Sequence, residues 1–221
     1  MSSCSVTEEI YLLDPRTVLV LAPHTDDGEL GCGGTIAKLS GLGFAVYYAA
    51  FSTARQSLPP DLPPDTLKVE VAAATARLGI DPSRLKVYDY EVRKLSYSRQ
   101  EVLEDLVALK REIEPDLVLM PCLHDIHQDH ATIADEGLRA FKDRTILGYE
   151  LIWNNLSFNT ECFVRLDEEH VERKIEALSE YRSQEGRAYI APDFIRSLAI
   201  TRGVQIGVEF AECFEVVRWV I

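Results

Sequence analysis

Several things are scarce in this 221-residue chain, and each scarcity removes a class of function. Positive charge is short: 23 Lys and Arg face 36 Asp and Glu, for a net charge of −13. Such a field does not attract nucleic acid or an anionic membrane surface, so neither is expected as a partner. No apolar run reaches the roughly 20 residues a helix needs to cross a bilayer. The opening segment, MSSCSVTEEIYLLDPR, lacks a basic start followed by a long apolar stretch, which reads against a signal peptide. The five cysteines (Cys4, Cys32, Cys122, Cys162, Cys213) are odd in number, widely spaced and free of any CxxC pair. That argues against a disulfide framework or a structural zinc site, and reduced thiols in a cytoplasmic protein are the simpler reading. Neither Cys32 nor Cys122 has the surroundings of a catalytic thiol, so buried structural cysteine is expected of both. The glycine-rich GCGGT (Gly31–Thr35) lacks the GxGxxG pattern and the lysine of a phosphate loop, so no nucleotide cofactor is expected.

What is present is an alternation of strands and helices. TVLVLA (Thr17–Ala22), FAVYYAAF (Phe44–Phe51), Leu85–Tyr88, DLVLM (Asp116–Met120) and Ile146–Ile152 read as short buried strands, several of them rich in β-branched residues. Helices are expected over about Gly33–Ser40, Thr66–Leu78, Arg99–Ile113, His130–Phe141 and Val171–Tyr181, with Ile195–Arg202 as a further candidate. Phe214–Ile221 reads as a terminal strand. This alternation implies an α/β, Rossmann-like fold with a mostly parallel sheet flanked by helices, in one domain spanning residues 1–221. The Pro-rich loop Ser52–Asp65 and the segment Ser183–Asp193 are the expected substrate loops.

Histidine is also scarce, with five in the chain. His170 sits among acidic residues at a helix start and reads as surface. The other four fall in two polar segments, APHTDD (Ala22–Asp27) and HDIHQDH (His124–His130), each directly after a predicted strand. If those strands are neighbours, both segments meet at the carboxyl edge of the sheet, where parallel α/β folds bind ligands. His24, Asp27 and His130 would then supply two imidazoles and a carboxylate, a three-ligand set with an open position for water, as catalytic zinc sites have. Asp26 could take a proton from that water. His127 could stabilise an oxyanion or protonate a leaving amine, with Asp129 orienting it. The same donors could hold Fe2+ for oxygen chemistry. Asp26 and Asp27 could instead only cap the following helix.

APHTDD followed by LGCGGT, with HQDH about a hundred residues later, resembles the PIG-L/LmbE-like deacetylase family. YELIW (Tyr149–Trp153), KIEALSEYRSQ (Lys174–Gln184) and RGVQIGVEFAECFEV (Arg202–Val216) resemble it less specifically. The resemblance implies a Rossmann-like fold and zinc-dependent removal of acetyl groups from N-acetylglucosamine-type sugars or their conjugates. His24, Asp27 and His130 match the family's metal ligands, Asp26 its base, His127 its catalytic histidine with Asp129 as partner, and Asp125 a common Asp before the second motif. Trimers or hexamers are a further expectation from the family. Thr25 and Gln128 stand where the motifs carry Pro, and Gly28 stands where many members have Glu after the DD pair. A metal-dependent N-deacetylase of an N-acetylated sugar is the leading expectation. An amidase on a thiol-linked sugar conjugate, an Fe2+ enzyme and an inactive sugar-binding protein are the alternatives. Arg55 and Arg202 are candidates for gripping substrate, although a surface salt bridge accounts for either equally well. Tyr90, Asp89 and Trp153 are candidate pocket walls.

Overall fold

A computed structural model describes residues 17–221, so the reading of the opening segment and of Cys4 lies outside the described residues. Seven strands form one sheet: β1 (Thr17–His24), β2 (Ala45–Ser52), β3 (Leu85–Val87), β4 (Leu117–Pro121), β5 (Thr145–Tyr149), β6 (Cys162–Leu166) and β7 (Phe210–Arg218). Their order is β3-β2-β1-β4-β5-β7-β6. The strands β3, β2, β1, β4 and β5 pair in parallel, and β7 runs antiparallel to both β5 and β6. The fold is therefore the mostly parallel α/β arrangement expected.

Burial explains why β1 and β4 read so clearly. Both are buried on two faces, and alternate side chains serve different cores. Val18, Val20 and Ala22 face the core that also holds Leu30, Ile36, Val71 and Ala177. These come from α1 (Asp27–Gly41), α2 (Thr66–Arg77) and α5 (Glu168–Ser179). Leu19 and Leu21 face the other core, with Val102, Leu106 and Ile133 of α3 (Arg99–Ile113) and α4 (Gln128–Ala140). The sixth α-helix among the described residues, α6 (Pro192–Ile206), packs on β7. Each fully buried Leu or Ile side chain in these layers contributes about 1.5–3 kcal/mol relative to exposure.

Three elements differ from the sequence reading. Helix α1 begins at Asp27, six residues before the expected Gly33, and takes in the GCGGT segment with a kink at Cys32. The glycines there are sites of close packing: a Cβ on Gly31 would lie 2.3 Å from the Tyr149 ring. Strand β6 is absent from the sequence reading; apart from buried Leu166 its residues are partly buried or, at Arg165, exposed, so it lacks the buried apolar run that marks β1 and β4. Strand β7 begins four residues earlier than expected, at Phe210.

The topology places the site. From β1 the sheet grows one way through β2 and the other way through β4. β1 and β4 pair directly, with Val18 opposite Leu117 and Val20 opposite Leu119. The segments after these two strands therefore meet at the switch point of the sheet, the usual ligand crevice of such folds.

Candidate metal centre and catalytic groups

His24 is the last residue of β1, Asp26 caps α1, and Asp27 is its first helical residue. From β4, the loop through Asp125 leads to His127, which caps α4, and His130 lies in the first turn of that helix. Three atoms converge. His24 Nδ1 lies 3.1 Å from Asp27 Oδ2, His130 Nε2 lies 3.2 Å from the same oxygen, and the two nitrogens are 3.2 Å apart.

The outer nitrogens decide what this triangle can hold. His24 Nε2 is 3.0 Å from Asp129 Oδ2, and His130 Nδ1 is 2.8 Å from Asp125 Oδ2. A carboxylate only accepts, so each outer nitrogen carries the proton and, in the neutral ring, each inner nitrogen is a bare lone pair. Two lone pairs and a carboxylate oxygen then face one another at hydrogen-bond distance with no proton between them. Positive charge is required there. The same demand appears in the titration of the rings: burial opposes the charged form of each, yet Asp27 with Asp129 raises His24 to about 9, and Asp27 with Asp125 raises His130 to about 10. A divalent ion meets the demand without protons. Donors about 2.0–2.1 Å from a tetrahedral ion stand roughly 3.3–3.4 Å apart, close to the spacing present, and two imidazoles with one carboxylate suit zinc. The residues fit the metal.

His24, His127 and His130 also offer nitrogens within 4.8 Å of one another, an all-imidazole alternative for the ion. The Asp27 triangle is tighter, and one nitrogen of His127 is engaged elsewhere. His127 Nδ1 accepts the Asp129 backbone N–H at 3.2 Å, which places its proton on Nε2. Burial, with the His130 and His24 rings beside it, pushes His127 down to about 4, so the ring is a neutral donor. Asp26 makes no side-chain capping bond to α1, which sets aside the reading of it as a mere helix cap. Burial, then the Asp27 carboxylate, pushes Asp26 up to about 6.

The Asp129 side chain lies elsewhere than the sequence reading places it. It was expected to orient His127, but its carboxylate turns to His24 and is held by backbone N–H groups of Arg93 (2.5 Å) and Leu95 (3.1 Å). Entering α4 at Asp129 points the side chain back across the crevice to β1, away from its near neighbour. The bond between Asp129 and His127 comes from the Asp129 backbone.

Gly28 also finds a physical account. A Cβ there would lie 2.5 Å from Tyr48 Cε2 and 2.6 Å from its hydroxyl. Tyr48 fills that space, and its hydroxyl accepts the Gly28 N–H at 3.1 Å. The same hydroxyl lies 2.9 Å from the Thr25 carbonyl and beside Glu29, whose carboxyl Tyr181 also reaches at 3.0 Å. Burial pushes Glu29 up to about 8, so a polar cluster with a weakly acidic carboxyl underlies the Asp26–Asp27 turn.

The crevice opens into a cleft of about 290 Å³, at the small end of the ~300–1,000 Å³ typical of small-ligand pockets. Both expected substrate loops reach it, through Ala54 and Ser57 from one and Gln184, Arg187 and Tyr189 from the other. Trp153 lines it as expected, whereas Tyr90 bonds Asp105 at 2.5 Å and Asp89 pairs with Arg55. The two arginines predicted to grip substrate do not line it. Arg55 holds Asp89 at 3.2 Å, and Arg202 is locked against buried Glu150, with Nε donating at 2.9 Å. The cleft arginines are Arg93 and Arg187, which sequence reasoning missed; the presence of a cation within the expected loop Ser183–Asp193 was the signal for Arg187. Cys32 and Cys122 are buried free thiols, and burial pushes Cys122 up to about 12 and Cys32 well above the ordinary thiol range. His170 lies in a capping box with Asp167, as a helix-start residue should.

Fold and site together define a Rossmann-like α/β protein whose strand-end donor set fits a divalent ion. Comparison with known proteins makes the class specific. The family model described as PIG-L, GlcNAc-PI de-N-acetylase, matches residues 19–141, and the chain belongs to that family. The Escherichia coli (strain K12) protein named uncharacterized deacetylase YaiS is 27% identical over 178 residues, covering 76% of this chain and 91% of its own length. The diacetylchitobiose deacetylase of Thermococcus kodakarensis is 30% identical over 136 residues, covering 58% of this chain and 49% of its own. Among solved structures, the N,N'-diacetylchitobiose deacetylase of Pyrococcus horikoshii superposes with a TM-score of 0.78 at 24% identity, over 95% of this chain and 86% of that one. That likeness supports the fold.

Proposed function

We propose that this protein is a metal-dependent N-deacetylase that hydrolyses the acetamide of an N-acetylated amino sugar or sugar conjugate. The observation that carries the reading is the triangle of His24, Asp27 and His130 with an uncommitted carboxylate, Asp26, and a neutral imidazole donor, His127, at its edge. His24, Asp27 and His130 would hold a divalent ion, zinc by the donor set, which would supply Lewis acidity to an acyl oxygen and to water near neutral pH. Asp26 takes the proton from the attacking water, a task suited to a carboxylate raised toward neutrality. His127 Nε2–H donates to the oxyanion of the tetrahedral intermediate, in which charge develops on the former carbonyl oxygen. The C–N bond then breaks, the proton held by Asp26 passes to the leaving amine, and acetate remains. Asp125 and Asp129 keep the inner nitrogens of His130 and His24 bare by holding the outer protons. Membership of a de-N-acetylase family and likeness to sugar deacetylases support the acetamide as the bond cleaved.

Asp26→Asn tests the reading. Acetate release from N-acetylated sugars, free, nucleotide-linked and glycosidic, is measured with zinc present, alongside bound metal by elemental analysis. Bound zinc is expected to stay near that of the wild type while acetate release falls by at least about 100-fold, the lower range of a general base's contribution. Unchanged hydrolysis would remove Asp26 from the mechanism. Oxygen-dependent turnover by an iron-loaded enzyme, with no acetate released, would replace the hydrolase reading with iron–oxygen chemistry.

A further inference from the structure

The proposed reaction gives Asp26 and His127 their tasks but leaves the polar cluster behind the Asp26–Asp27 turn without one. Glu29, Tyr48 and Tyr181 are buried there, and none of the three lines the cleft. Tyr181 comes from furthest away. It lies just beyond α5, which packs on α1, and its hydroxyl donates at 2.7 Å to the Thr25 carbonyl, 156 residues back in the chain. Its other neighbour, Glu29 Oε1, is 3.0 Å away. A phenol has one proton to give, and the nearer carbonyl receives it. Tyr48 approaches from β2, with its hydroxyl 2.9 Å from the same carbonyl and against Glu29 Oε2. Two hydroxyls bridged by one carboxyl group thus converge on a single main-chain oxygen.

That oxygen belongs to the peptide that carries the Asp26 nitrogen. A peptide is planar, so fixing its oxygen also fixes the point from which the Asp26 side chain departs. Asp26 depends on such a hold, because its carboxylate makes no capping bond to α1. Asp27 does not, since its carboxylate accepts the His24 backbone N–H at 2.8 Å and faces both imidazoles. Tyr181 is itself braced. Its N–H donates to the Leu178 carbonyl at 3.2 Å, and its carbonyl accepts the Gln184 N–H at 2.9 Å. Ser183 N–H donates at 2.9 Å to Glu70, a buried carboxylate on α2. Tyr181 is only 1% exposed, so bulk water has no path to replace its hydroxyl.

We infer that Tyr181 is a positioning residue for the base: through the Thr25 carbonyl its hydroxyl keeps the Asp26 carboxylate in place beside the donor triangle, while the metal ligands are held without it. The inference rests on the reading of Asp26 as the base.

Tyr181→Phe removes the hydroxyl and keeps the ring. Tyr149→Phe is the matched control. Tyr149 is as deeply buried and also donates its hydroxyl to a main-chain carbonyl, that of Leu21 at 3.0 Å, which lies within β1 and not at the turn. Both variants, as zinc-loaded full chains, are compared with the wild type on free, nucleotide-linked and glycosidic N-acetylglucosamine. Zinc affinity is measured by competition titration, and Tm by thermal unfolding. Both variants should lose a few degrees of Tm, as the loss of one buried hydrogen bond requires. Tyr181→Phe alone should lower kcat by about 10-fold or more, with KM and zinc affinity within about 3-fold of the wild type. A kcat within about 2-fold of the wild type overturns the inference, as does an equal fall in Tyr149→Phe or a zinc affinity that falls in step with kcat. If the wild type releases acetate from none of these sugars, the deacetylase reading fails, and crystal structures of the wild type and Tyr181→Phe then judge the hold. An Asp26 carboxylate displaced by about 1 Å or more, with Asp27 unmoved, upholds it, and an Asp26 that superposes overturns it.

Discussion

Replacing Gly28 with Ala puts a methyl group where Tyr48 already stands. The new Cβ would lie 2.5, 2.6 and 2.8 Å from Cε2, the hydroxyl and Cζ of that ring, against the ~3.5–4.0 Å of a comfortable contact. The ring must therefore move by roughly 1 Å, or the first turn of α1 must. Tyr48 has no exposed surface through which to yield, and its hydroxyl is engaged by Gly28 and within reach of Thr25 and Glu29. Overpacking costs about 1–3 kcal/mol. Each weakened hydrogen bond adds about 1 kcal/mol. Alanine gains back at most about 1 kcal/mol in helix propensity. The net expectation is a loss of about 2–4 kcal/mol, or roughly 5–15 °C in Tm for a chain of this length. Activity should fall further than stability, because Asp26 and Asp27 sit on the turn that is displaced, and a misplacement of about 1 Å costs on the order of 100-fold in rate. Tyr48→Ala removes the obstacle. It should cost about 3–5 kcal/mol by itself, and adding Gly28→Ala to it should cost little more, since the methyl enters the vacated space. Denaturant unfolding of all four proteins should thus give a coupling of about 2 kcal/mol. Losses that add to within ~0.5 kcal/mol would refute the account, as would a Gly28→Ala protein of wild-type stability.

Asp129→Asn takes the carboxylate from His24 Nε2 and should weaken zinc binding by about 10–100-fold in a competition titration; unchanged affinity would remove the orienting role. Stripping the metal with a chelator should lower Tm, since the ion binds the folded donor set and not the unfolded chain. At free zinc about 100-fold above Kd the bound ion contributes about 2.7 kcal/mol, and stripped and loaded protein melting together would mean that the triangle is not a metal site.

The parts of this protein legible in sequence are those whose signal is local. β1 and β4 are short runs buried on both faces, so their composition alone marks them, and the polar segments that follow them carry the histidines. Their meeting required β1 and β4 to be neighbours, a common feature of such sheets that holds here. What was illegible depends on packing between distant segments. Gly31, Gly33 and Gly34 do not disclose in sequence which neighbours pack on them; Tyr149, Lys174 and Leu166 occupy the places their side chains would take. β6 is half-exposed and gains its identity from pairing with β7. Arg202 reads as a substrate residue because sequence does not disclose which arginine already has a carboxylate; Glu150, 52 residues away in the chain, claims it.

Helix capping at the two strand ends shows why the proposed roles fall to these residues. Asp is among the preferred N-cap residues, and its carboxylate ordinarily accepts from the helix's first free N–H groups. Asp26 holds the N-cap position of α1 but makes no such bond, which leaves its carboxylate available as a base. Its neighbour Asp27 accepts the His24 backbone N–H at 2.8 Å with the oxygen that also completes the donor triangle. At α4 the exchange is reversed. The cap is an imidazole, and accepting the Asp129 N–H through Nδ1 obliges His127 to carry its proton on Nε2. A conventional Asp or Ser at position 127 would satisfy the same helix end and leave no N–H donor for an oxyanion. Asp129, relieved of capping, is free to reach across to His24. The start of each helix thus sets a protonation state: a carboxylate left uncommitted at one, and an imidazole fixed as a donor at the other.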